Sequence, residues 1–192
     1  MINNIKKANE PTTSHPTALD PGCGLGKLSQ FFSNLGFAVT AVDFAESSID
    51  IVKQNSPKIK TLVHDITQKL PFENNSFDVA IANLSLHYFS ANDTKNIIAE
   101  IKRILKPNGI LVGSVVSTDE FEKVKARGVK FIQQEPNFYH ELTDNGKKQI
   151  RFFNHHDINT FFADFDFIYL NNKFEQRMGK PKAAWEFIAR PK

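Results

Sequence analysis

A single cysteine, Cys23, stands among the 192 residues, which excludes an internal disulfide and a cysteine-based metal cluster. No apolar run approaches the length needed to cross a bilayer. The opening Met1-Ile2-Asn3-Asn4-Ile5-Lys6-Lys7 lacks the apolar stretch of a secretory signal, so a cytoplasmic address is expected. Charge of one sign is also scarce: 24 Lys and Arg stand against 21 Asp and Glu, for a formal net charge of +3, and no long run of like charges appears. Nothing in that balance demands a nucleic-acid or membrane partner. Tryptophan and tyrosine are few, at one and three, whereas phenylalanine reaches 18. Phenylalanine has no polar atom to satisfy, so most of these rings are expected to fill a core rather than form a recognition surface.

What is present suffices for one domain. Hydrophobic residues make up 41% and charged residues 23%, enough to fill a core and stay in solution. A polar N-terminal arm is expected over residues 1–16, followed by a single domain over residues 17–192. From Thr17 apolar runs alternate with helical stretches, the pattern of an α/β fold. Strands are predicted over residues 17–20, 37–43, 58–63, 77–83, 110–116, 165–170 and 184–189. Helices are predicted from the glycine turn to Leu35 and over residues 46–54, 91–105 and 155–163. Ile97, Ile98, Ile101, Ile104 and Leu105 fall on one helical stripe, Ser90 with Asp93 suits its start, and Pro107-Asn108-Gly109 is expected to end it.

The chemistry is concentrated at Asp20-Pro21-Gly22-Cys23-Gly24-Leu25-Gly26, where the first strand hands over to a helix. Glycines there let the backbone approach a ligand closely. Asp43 closes the second strand, where a carboxylate can accept both hydroxyls of a ribose. Phe44 follows, and either lies against an adenine or packs in the core. The dinucleotide fingerprint anchored at Gly22 needs a third glycine where the chain has Lys27. An acid ahead of the turn suits a ligand with an ammonium group better than one with a pyrophosphate. Charge therefore favours S-adenosylmethionine over a nicotinamide cofactor, which makes a Rossmann oxidoreductase the weaker alternative.

Residues 18–26 resemble the first motif of the class I S-adenosylmethionine-dependent methyltransferases. The later landmarks arrive in family order: Val42-Asp43, then Val63-His64-Asp65-Ile66 with Leu70-Pro71-Phe72, then residues 77–88, then residues 100–111. The stretch from Gly179 to Arg190 is similar to the last strand of small stand-alone members. The resemblance implies a Rossmann-like, doubly wound, mostly parallel seven-stranded sheet with an antiparallel last strand. It implies that Gly22, Cys23 and Gly24 border the methionine portion with Asp20 nearby, and that Asp43 holds the ribose. It further implies that Asp65 and the Ile66 backbone meet the adenine, and that Asn83 and Leu84 lie beside the sulfonium. Members usually carry a longer helical segment ahead of the first strand, so an incomplete lid is expected here. A protein that binds the cofactor without turnover is therefore a further alternative. Ala45 stands where members often have a hydroxyl residue, which removes a helix cap.

Methyl transfer is an in-line displacement that demands alignment more than acid–base chemistry, so the motifs single out no catalytic residue. His87, just past the fourth strand, is either a base or a structural histidine, and Tyr88 shares that choice. Residues 117–154 match no motif and are read as a variable segment that either covers an acceptor or decorates the surface. Within it Tyr139, His140 and Arg151 are candidates to hold a polar or acidic substrate. His155-His156-Asp157 invites a metal, but adjacent histidines point to different sides of a helix, and Asn154 with Asp157 forms a helix-start pattern. No metal site is expected. Asn83 is followed by Leu84-Ser85-Leu86 rather than the Pro-Pro-aromatic run of base and amide amino-methylation, and no basic stripe exists. A small-molecule acceptor is the expectation that remains.

Overall fold

The computed structural model describes residues 16–144, 146–177 and 180–192. Most of the expected polar arm, residues 1–15, lies outside the described residues, as does Gly179. Strands β1 (Thr17–Pro21), β2 (Ala38–Asp43), β3 (Lys60–Val63), β4 (Phe77–Asn83), β5 (Leu105–Val116), β9 (Phe165–Arg177) and β10 (Lys180–Pro191) form one sheet of order β3-β2-β1-β4-β5-β10-β9. The pairs among β1 to β5 are parallel, and β10 runs antiparallel to both its neighbours. This is the mostly parallel seven-stranded sheet with an antiparallel last strand that the motifs imply.

Both faces of the sheet are covered, so its central strands are continuous apolar runs. Along β4, Val79 and Ile81 enter one apolar layer with Phe32 and Val52. Ala80 and Ala82 enter the other, with Ile97, Ile101, Ile158 and Phe162. Helices α1 (Lys27–Asn34) and α2 (Glu46–Asn55) thus lie on one side of the sheet. Helices α3 (Ala91–Ile104) and α5 (His155–Phe161) lie on the other. Ser90 caps α3 by accepting from the Asp93 amide, and Asn154 and Asp157 close a reciprocal capping box on α5. No side chain caps α2 at Ala45. Among the described residues no helix is long and apolar enough to cross a membrane.

One expectation needs correction. Pro107-Asn108-Gly109 does not end α3, which stops at Ile104; these residues belong to β5, in a register shift opposite the start of β4. Lys106 at that bulge pairs with Asp78 at 2.8 Å, so the irregularity is pinned by charge. Residues 117–154, which match no motif, carry regular elements of their own. They form α4 (Thr118–Ala126) and a second, three-stranded antiparallel sheet of β6 (Phe131–Glu135), β7 (Phe138–Thr143) and β8 (Gly146–Arg151). Much of this sheet is solvent-facing, so its strands are polar and lack the apolar runs that mark the main sheet.

Candidate functional site

The carboxyl ends of β1, β2 and β4 meet at one edge of the sheet, the crevice where open α/β sheets bind ligands. After β1 the chain turns sharply, with Gly22 at φ 75° and Gly24 at φ 52°. A Cβ on Gly22 would lie 2.8 Å from the Cβ of Ser85, so only glycine lets the turn pass that close to the loop after β4. A Cβ on Gly24 would meet nothing within 4 Å, so the turn borders open space there.

The turn is tied to β2 through its backbone. The amides of Gly22 and Cys23 donate to the carbonyl of Val42 at 2.8 and 3.0 Å. The buried Asp43 carboxylate accepts from the Gly24 amide through Oδ2 at 2.9 Å and from the Ala45 amide through Oδ1 at 3.0 Å. Each oxygen keeps acceptor capacity beyond that bond. Asp20 lies buried behind the turn and accepts from the Ser29 hydroxyl. Burial pushes its carboxyl up to about 6. Burial, with Asp20 and Asp43 nearby, pushes the Cys23 thiol up to about 12, so that thiol is neutral and not a nucleophile.

At the end of β4, Asn83 accepts from the Ser114 hydroxyl at 2.7 Å, and Leu84 adopts φ 54° while its amide donates to the Ser114 carbonyl. A left-handed leucine is a strained conformation of the kind held at functional sites. The next side chain, Ser85, has a buried hydroxyl with no hydrogen-bond partner.

These residues enclose a cavity of about 340 Å³ lined by Gly22, Cys23, Gly24, Asp43, Phe44, Asp65, Ile66, Asn83 and Leu84. It therefore gathers nine of the ten positions that the motifs single out for a cofactor. The tenth, Asp20, lines an adjoining cavity of about 220 Å³ that shares Gly22, Cys23 and Asn83 with the first. Phe44 is 78% exposed, which excludes the core-packing role, and leaves its ring at the cavity edge. Asp65 turns one oxygen onto the amide and hydroxyl of Thr67.

A third and larger cavity, about 500 Å³, opens on the other side of Leu84 and Tyr88, which line both. The turn Leu86–Tyr88, helix α4, the small sheet and β10 supply its walls. His87 lines it and is 4% exposed, with Nδ1 buried and unpartnered. Burial first, and then the charges of Lys148 and Lys182, push this imidazole down to about 3, so it is neutral at any ordinary pH.

Residues 19–113 match the family model described as a methyltransferase domain. The chain thus carries a methyltransferase domain, consistent with the class I S-adenosylmethionine-dependent methyltransferases. Among curated relatives, it is 33% identical to a malonyl-[acyl-carrier protein] O-methyltransferase of Buchnera aphidicola over 64% of this chain and 50% of that protein. It is 34% identical to a sterol 4-C-methyltransferase of Caenorhabditis elegans over 55% of this chain and 33% of that one. A mitochondrial arginine-hydroxylase of Homo sapiens is 32% identical over 57% of this chain and 31% of its own length. The chain thus spans half or less of these relatives. Its fold matches that of an S-adenosylmethionine-dependent methyltransferase of Methanosarcina mazei with TM-score 0.82 and 21% identity, over 93% of each chain. The fold of a 1,6-didemethyltoxoflavin-N1-methyltransferase of Burkholderia thailandensis matches with TM-score 0.68 and 19% identity, over 92% of this chain and 72% of that one.

On this methyltransferase framework the candidates for the acceptor side divide. His87 and Tyr88 line the large cavity. Tyr88 stacks on His87 at 4.1 Å and is 36% exposed, so it is not a core residue. Tyr139 stacks on Phe121 behind the cavity wall at 4.6 Å, and His140 also lies outside the lining. Arg151 requires correction as a substrate ligand. It is 2% exposed, and its guanidinium donates to the carbonyls of Phe89 and Pro136 and to Glu135 at 2.6 Å. Arg151 is thus spent on fastening the small sheet to the loop before α3. His155 and His156 sit on the exposed face of α5 beside Asn159 and Thr160. Among the described residues, no group of three His, Cys, Asp or Glu converges to hold a metal.

Sequence reasoning missed Ser85 and Phe89 on the first cavity and most of the lining of the third. Glu120 and Arg127 come from α4 and its C-terminal end, Lys148 from β8, and Lys182 and Glu186 from β10, and no local spacing announces the set.

Proposed function

We propose that the protein transfers a methyl group from S-adenosylmethionine to a small-molecule acceptor held in the 500 Å³ cavity. One observation carries this reading: a cleft sized for a nucleoside with an amino-acid tail and a second cavity meet at the same two residues, Leu84 and Tyr88. Support for the donor comes from an acid that keeps free acceptor capacity at the end of β2, open space above Gly24, and an exposed Phe44 ring beside them.

The bound donor supplies a methyl carbon activated by a positive sulfur, which leaves with the carbon–sulfur electron pair as the acceptor's lone pair bonds to that carbon. The chain's part is to align and to exclude water. Asp43 accepts from the ribose hydroxyls, while Asp65 and the Ile66 backbone meet the adenine edge and Phe44 covers its face. Buried Asp20 faces the ammonium of the amino-acid tail across the turn. Leu84 and Asn83 border the methyl group, and Leu84 and Tyr88 flank the junction where the acceptor atom reaches it. An acceptor atom that carries a proton passes it to water, because burial and the nearby lysines make His87 a poor base. The acceptors in the relatives' names, a sterol and a carrier-bound malonyl group, and the 1,6-didemethyltoxoflavin of the Burkholderia enzyme fit a low-molecular-weight acceptor here.

Thermal unfolding with S-adenosylhomocysteine and, separately, NAD tests the donor. At a concentration 100 times Kd a specific ligand adds about 2.7 kcal/mol, a rise in Tm of roughly 5–10 °C. The reading expects that rise with S-adenosylhomocysteine and none with NAD. The reverse pattern would overturn it.

A further inference from the structure

The acceptor cavity has a charge pattern that selects among small molecules. Much of its wall is apolar: Leu84, Val116, Val124, Phe131, Ile150 and Phe152. Set into that wall are four basic and three acidic side chains, and two of the acids are already neutralised. Buried Glu120 pairs with Arg127 at 2.9 Å and accepts from the Ala183 amide at 2.9 Å. Glu186 pairs with Lys173 at 3.7 Å. Lys148 and Lys182 remain, and among the described residues neither has a carboxylate within ion-pair distance. Glu141 stands opposite Lys148 in the β7–β8 register and Glu175 opposite Lys182 in the β9–β10 register; among the described lining residues Glu141 alone is set against the two lysines.

The two lysines come from different walls, Lys148 from β8 and Lys182 from β10, and both line the one cavity. The Lys148 ammonium lies over the Tyr88 ring, 5.2 Å from its centroid. Both lysines raise the cost of protonating His87, whose ring stacks on Tyr88. Their field is therefore felt where the acceptor cavity meets the donor cleft. An apolar wall with two cations near that junction suits an apolar body ending in an anion.

Building on the methyl-transfer reading, we propose that the acceptor is a small carboxylic acid with an aromatic or branched apolar body, its carboxylate bridging Lys148 and Lys182. The apolar body rests on Phe131, Phe152 and Ile150. His87 supplies the neutral edge of the slot, and its unpartnered Nδ1 is the polar group that a bound acceptor is placed to satisfy after a rotation of the ring.

Cinnamate and its neutral isostere cinnamamide, titrated calorimetrically into the protein with S-adenosylhomocysteine present, test this. Cinnamate is expected to bind about tenfold tighter than the amide. Lys148→Gln with Lys182→Gln is expected to bring the two within about twofold, while the double Arg variant keeps the preference. Equal binding of acid and amide, no binding of the acid, or an undiminished preference in the double Gln variant would overturn the proposal. Phenyl phosphate binding about tenfold tighter than cinnamate would also overturn it, in favour of a phosphorylated ligand. S-adenosylhomocysteine affinity is measured on every variant and is expected to hold. If that nucleoside never binds, the donor reading fails, and the acid–amide comparison is still read without it.

Discussion

The donor cleft and the acceptor cavity adjoin at Leu84 and Tyr88 but are built differently. Backbone does much of the work around the donor: two left-handed glycines, four amides turned onto Val42 and Asp43, and strand ends held by parallel pairing. Around the acceptor, side chains from α4, three antiparallel strands and β10 project into one space, fastened by the Arg151–Glu135 and Glu120–Arg127 pairs. Backbone geometry demands particular residues at fixed spacing. A side-chain-lined cavity can be tuned without disturbing the sheet beneath it, so the variable specificity belongs on the acceptor side.

Arg151→Ala is the strongest way to break that comparison. It removes three anchoring contacts at a fully buried site and leaves Glu135, about one-third exposed, with the Ala91 amide but no cation. A loss of about 2–4 kcal/mol is expected by denaturant unfolding. Hydrogen exchange should loosen first in β6 to β8, with S-adenosylhomocysteine binding retained. Uniform loosening of both sheets would show that the two halves are not separable.

How much of this was legible in the sequence follows the same division. Gly22 and Asp43 were readable from the glycine turn and the end of the second strand, and Asp65 and Asn83 from the resemblance of the later motifs; all four line the first cavity. The helix starts at Ser90 and Asn154 were readable too, since the capping bonds link residues three apart. The small sheet was not, because its half-solvated strands have weak alternation, although Pro136-Asn137, with Asn137 at φ 58°, marks the turn between β6 and β7. Arg151 reads in sequence as a free cation near polar residues. Only the fold brings Phe89 and Glu135 around it. Lys148 and Lys182 lie on separate elements and line one cavity because β10 runs back along β5.

A smaller effect sharpens the donor half. Burial raises Asp20 to about 6 despite the Ser29 hydrogen bond, with the Asp43 charge adding to the rise. Above that pH the carboxylate is ionised and attracts an ammonium. Below it the free protein carries the proton, and binding must expel it. Affinity for S-adenosylhomocysteine is therefore expected to fall by up to about tenfold per pH unit as pH drops below 6. Over the same window the unliganded protein gains stability, because the native state holds more protons than the unfolded chain. Asp20→Asn should flatten both profiles, and a wild-type affinity that does not change from pH 7 to 5 would remove Asp20 from the ammonium site.

The central claim, that the crevice at the ends of β1, β2 and β4 holds the nucleoside through Asp43, is met most directly by calorimetry of S-adenosylhomocysteine with the wild type and Asp43→Ala. Micromolar binding is expected for the wild type. The variant should lose at least about tenfold, because two ribose hydroxyls lose a charged acceptor and Gly24 loses the bond that holds the turn. Equal affinities in the two proteins would contradict the account.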